Sequence, residues 1–147
     1  MSTGLPRSVQ VRLVRPETAI AEKLHAMVEL DAKNSRMRDF FDVHALAARE
    51  SFDGAALAEA IAATFARRRT AMPRDLPLAL TPAFAALEGK AAQWSGFVRR
   101  LPRTSAPGDL VSVVDGVARF AGPVLTAPAR GVRFAQRWEP GGPWSTT

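Results

Sequence analysis

Two short segments near the N-terminus, P-E-T-A-I-A-E-K-L-H-A-M (Pro16 to Met27) and S-R-M-R-D-F-F-D-V (Ser35 to Val43), set a lysine and two aspartates among apolar residues. Charged groups are expensive to bury unless they are paired or used. Any fold that packs these segments must therefore give Lys23, Asp39 and Asp42 partners or a ligand. Pro16 stands where proline favours the first turn of a helix. Behind it, Ile20, Leu24, Met27 and Asp31 fall along one stripe with Leu30 at its edge. Lys23 comes three residues after Ile20 and four before Met27, on or beside that stripe. Glu22, His25 and Glu29 face away, and His25 is expected in solvent. Lys33, Asn34 and Ser35 break the helix, with Ser35 placed to cap the next one. The second helix, from about Arg36 to Arg49, carries Met37, Phe40, Phe41, His44 and Ala48 on one side. Asp39, Asp42, Val43 and Leu46 occupy the other, so burial on both sides is expected. Asp39 and Asp42 are three apart and point the same way.

The remaining chain reads mostly as helix. Val9 to Val14, V-Q-V-R-L-V, alternates as a short strand with one buried face. No later segment pairs with it convincingly, which suggests the last strand of a sheet lying outside this chain. Asp53 is placed to cap a third helix carrying Leu57, Ile61 and Phe65 and ending in Arg67, Arg68 and Arg69. Thr81-Pro82 opens a fourth, with Phe84, Leu87, Ala91, Trp94, Val98 and Leu101 in helical period. Asp109 opens a fifth, with Leu110, Val113, Val117, Phe120 and Val124. The expected fold is mainly α: about five helices in an irregular bundle preceded by one short strand at about 8–15. Residues 1–125 form a helical domain, and 126–147 an irregular Pro-, Gly- and Arg-rich tail anchored by Trp138 and Trp144.

Composition narrows the chemistry. The chain has 147 residues, enough for one domain with a real core. It has no cysteine, which removes disulfides and thiolate metal sites. Its two histidines, His25 and His44, are too few for a multi-histidine zinc centre, and no metal ligand is assigned. No apolar run approaches a membrane span, and Met1 to Gln10 lacks the apolar segment of a secretory signal, so a cytoplasmic protein without membrane partners is expected. A net charge of +6, carried mostly by arginine, suits either a polyanion such as RNA or nucleotide phosphates, or a solvated basic surface. There is no Gly-rich phosphate loop, no G-x-S-x-G elbow and no D-x-D pair of the kind two-metal phosphoryl transfer needs.

Lys23 can neutralise a triphosphate or the charge that develops in phosphoryl transfer, or it can snorkel over apolar surface. Asp39 and Asp42 can hold magnesium, act as a base, or orient Lys23 and an arginine; the plainer alternative is an ion-pair cluster with Arg36 or Arg38. His44 reads best as a core histidine. The arginine run reads as a dipole-matched helix end, and Trp138 and Trp144 as packing residues rather than platforms for bases.

These segments resemble the abortive-infection toxin family of nucleotidyltransferases, the AbiEii/AbiGii type. Its members show a strand, a proline-led E-x-x-x-A-E-K-L helix, then R-x-K-D-F-x-D-L. The matching residues are Glu17, Ala21, Glu22, Lys23 and Leu24, then Arg36, Arg38, Asp39, Phe40 and Asp42. Arg38 stands where lysine is usual and Val43 where leucine is usual. The G-G-P-W of Gly141 to Trp144 is similar to the family's C-terminal ending. The resemblance implies the helical C-terminal half of a nucleotidyltransferase-fold toxin, in which Lys23, Asp39 and Asp42 are catalytic and Lys23 and Arg36 face the nucleotide. It implies magnesium-dependent transfer from an NTP to tRNA or protein. It also implies a partner, either an N-terminal nucleotidyltransferase half or a cognate antitoxin. The family's paired-aspartate metal motif does not occur here, so catalysis by this chain alone is not expected. The rival reading is a non-catalytic RNA- or antitoxin-binding remnant module, motivated by the basic charge and the arginine-rich tail.

Overall fold

The first helix, α1 (Pro16–Leu30), begins on a proline whose missing N–H no helix needs at that position. It buries Ile20, Ala21, Leu24, His25 and Met27, and stops at Asp31, whose φ is +47°. The computed structural model describes residues 15–105 and 107–146. The strand expected at about 8–15 lies, apart from Arg15, outside the described residues. After an elbow at residues 31–36, α2 (Met37–Arg49) buries Met37, Asp39, Phe40, Val43 and Ala47. That set spans both sides of the helix, as its two apolar stripes require.

A short strand, β1 (Phe52–Asp53), leads into α3 (Gly54–Arg67), which lies along α1. The single fourth helix expected over residues 82–101 is two: α4 (Pro82–Ala86) and α5 (Lys90–Arg99). Gly89, at φ +86°, turns the chain between them, a conformation open to glycine without steric penalty. Leu87 consequently falls out of the apolar stripe and is exposed. Six α-helices thus form the bundle among the described residues.

The last helix, α6 (Leu110–Thr126), is capped by Asp109, whose carboxylate accepts the Ser112 N–H at 2.9 Å. It packs against α2, α3, α4 and α5. A helix so placed must be apolar nearly all round, and Val113, Val114, Val117, Phe120, Ala121, Val124 and Leu125 are all buried.

Beyond α6 the chain is not wholly irregular. β2 (Arg137–Trp138) pairs antiparallel with β1 on one side and with β3 (Trp144–Ser145) on the other. The two tryptophans hold this small sheet to the bundle. The Trp138 indole N–H donates to the Ala47 carbonyl at 2.7 Å, and that of Trp144 to the Phe120 carbonyl at 2.8 Å. Both rings also pack against the Phe120 ring.

Candidate functional site

Lys23 emerges from the edge of α1 opposite the start of α2. Its ammonium lies 3.4 Å from Asp39 Oδ1 and 3.3 Å from Asp42 Oδ2, bridging the two carboxylates. Helical spacing puts both aspartates on the face of α2 turned toward α1. Arg36 Nε lies 3.2 Å from Asp39 Oδ2, and Arg38 Nη1 3.8 Å from Asp42 Oδ1. The structure therefore brings together Lys23, Arg36, Asp39 and Asp42, with Arg38 alongside. Asp39 is the most enclosed of them, its side chain 7% exposed. Its Oδ2 makes no hydrogen bond among the described residues, because the nearby Arg36 N–H is not aimed at it.

Lys23, Arg36 and Asp39 line a cleft of about 340 Å³, within the size range of small-ligand sites. Glu22, His25 and Arg68 line it as well. Glu22 ties α1 to the end of α3, accepting from Arg68 Nη2 at 2.7 Å and Arg67 Nη2 at 2.8 Å. The Arg68 hydrogen bond, with Arg67 beside it, holds the Glu22 carboxyl below the usual carboxylate range against the opposing effect of burial. The arginine run is thus largely engaged in pairing. His25, expected in solvent, is buried: it bonds Thr70 Oγ1 at 2.8 Å and sets its ring edge-on to Phe65. The approach of α3 along α1 covers a position that helical spacing on α1 alone leaves outside.

The residues present do not fit a divalent cation. The Lys23 ammonium occupies the place between the carboxylates that an ion would need, and Arg36 and Arg38 add positive charge. No cluster of three or more carboxylate or imidazole side chains suited to a metal occurs among the described residues. His44 lies elsewhere, packed over Gly116 of α6, and burial lowers its pKa.

Two buried polar residues at the elbow escaped the sequence reading. Asn34 is fully buried, and its Oδ1 accepts the Arg36 N–H at 2.7 Å. Lys90 is 5% exposed and donates to the Asn34 carbonyl at 2.6 Å. The helical period did carry a signal for Lys90, which comes three residues after Leu87 and four before Trp94 on the predicted apolar stripe.

Fold and cleft together define a helical protein that presents a lysine bridging two carboxylates, with arginines around it, beside a cleft of about 340 Å³. The chain belongs to the family described as nucleotidyl transferase AbiEii toxin, type IV toxin–antitoxin system, whose pattern matches residues 2–120. Neither any curated protein nor any solved structure matches the chain. Membership ties it to nucleotidyltransferase toxins of toxin–antitoxin systems, in which a toxin has a cognate antitoxin. No helix among the described residues is long and apolar enough to cross a membrane.

Proposed function

We propose that this chain supplies the helical, nucleotide-facing wall of a toxin nucleotidyltransferase that moves a nucleotide from an NTP to tRNA or protein. The observation that carries this reading is the Lys23 ammonium held between Asp39 and Asp42 at the edge of the cleft, within the segment that matches the family. Lys23 and Arg36 bind the nucleotide phosphates, where preorganised positive charge stabilises a phosphoryl-transfer transition state. Asp42 holds Lys23 in place. Asp39 serves as the base: the acceptor hydroxyl oxygen bonds to the α-phosphorus, its proton passes to the Asp39 carboxylate, and pyrophosphate leaves. Magnesium, which the family implies, is not assigned to these carboxylates. The metal-binding aspartates belong to an N-terminal nucleotidyltransferase half, and a cognate antitoxin restrains the assembled toxin in the cytoplasm.

The test compares this chain alone with the chain joined to such an N-terminal half, using labelled NTPs. The chain alone should transfer nothing, and robust transfer by it would overturn the division of labour. In the joined enzyme, Lys23→Ala should lower kcat by roughly a hundredfold or more while the fold is retained. Unchanged turnover would remove Lys23 from the site.

A further inference from the structure

We infer that Lys90 is a positioning residue for the Lys23–Asp39 cleft, acting through the α1–α2 elbow. This rests on the reading of that cleft as the nucleotide-facing wall. A lysine at the first position of α5 is in an electrostatically poor place, because the positive end of the helix dipole is there. It is also buried, and no carboxylate pairs with it among the described residues. Among the described residues its ammonium donates one hydrogen bond, to the Asn34 carbonyl, and sits 4.9 Å from the centre of the Phe84 ring. An apolar side chain of similar length would fill this space at lower cost. What lysine adds is a directional bond to one backbone atom.

That atom belongs to the residue that sets the start of α2. Asn34 Oδ1 accepts the Arg36 N–H, fixing the backbone immediately ahead of the helix. Arg36 and Asp39 follow within one turn, and Asp39 meets Lys23. A second route runs from Lys90 through Phe84, which stacks on Phe40 of α2 at 5.3 Å. The other end of the elbow is held separately, by Asp31 Oδ1 accepting the Ala79 N–H at 3.1 Å. Lys90 therefore fixes the α2 side of the elbow, the side that bears the cleft carboxylates.

Lys90→Met keeps the stem and removes the donor. Amide hydrogen exchange of the 147-residue chain should show residues 34–39 exchanging roughly tenfold faster or more, with residues 113–121 of α6 within about twofold of wild type. Lys90→Arg, which restores a donor, should return protection to residues 34–39. Unchanged exchange at the elbow would overturn the inference. So would acceleration shared equally by α6, or loss of folding, since Lys90 would then be an ordinary core residue. The exchange pattern does not depend on catalysis. If Lys23→Ala keeps full turnover while Lys90→Met loosens the elbow, it is the assignment of the cleft that fails.

Discussion

Single residues in this chain divide by whether their role is local. Asp109 is local: a side chain three residues before the amide it caps can be recognised in a string of letters, and the structure shows the bond. Ser35 and Asp53 show the limit, since neither side chain caps the helix it precedes. Asn34, fixed from a distance by Lys90, serves α2 instead of Ser35. Gly54 is a position whose constraint comes wholly from elsewhere. Its N–H donates to the Gln136 carbonyl at 2.7 Å, and a Cβ there would collide with that carbonyl and come within 2.6 Å of the Phe134 ring. Gly54→Ala should destabilise the protein by about 1–3 kcal/mol, because backbone cannot step aside as a flexible side chain can. Urea unfolding measures this, and an unchanged midpoint would show that the tail repacks freely.

At the level of elements, α2 is the helix read best from its own residues. Its two-sided pattern requires neighbours on both sides, and α1 and α6 provide them. The aspartate pair was visible because helical spacing alone puts both carboxylates on one face, but that α1 brings Lys23 to them is a tertiary fact. His44 gives α2 a pH dependence. Burial lowers its pKa from 6.5, so the folded protein takes up the proton at lower pH than the unfolded chain. Between those two values the unfolded state binds more protons, and stability falls as pH drops below about 6.5 toward the folded value. Denaturation midpoints at about pH 7.5 and about pH 5 should show this loss, and His44→Gln should reduce it. An equal loss in the variant would assign the slope to other groups. The division of the predicted fourth helix has the opposite character. Its apolar spacing runs unbroken across Gly89, and only the observed turn shows that Leu87 leaves the stripe while Lys90 stays inside.

For the molecule as a whole, the tail is a structural part of the bundle. β2 borrows its partner from β1, which lies some eighty residues earlier. Trp138 fills space beside Phe120 and satisfies the Ala47 carbonyl near the end of α2. Trp138→Ala should therefore cost about 3–5 kcal/mol, the range for removing a buried tryptophan. Circular dichroism through a urea titration would show it as a lower midpoint. A change below about 1 kcal/mol would mean that the tail is held by Trp144 alone.

Helix content, helix order and the shared face of Asp39 and Asp42 could be read from the chain because they depend on residues three or four apart, whereas the meeting of Lys23 with that pair joins two helices. The covered His25, the elbow bond from Lys90, the engagement of Arg67 and Arg68 by Glu22 and the pairing of the tail with β1 could not. Each is a contact between segments tens of residues apart, and periodicity holds no information about which distant segment arrives. Packing α3 on α1 and α5 against the elbow made those choices, and burial then required every polar group it enclosed to find a partner or stand out as unpaired.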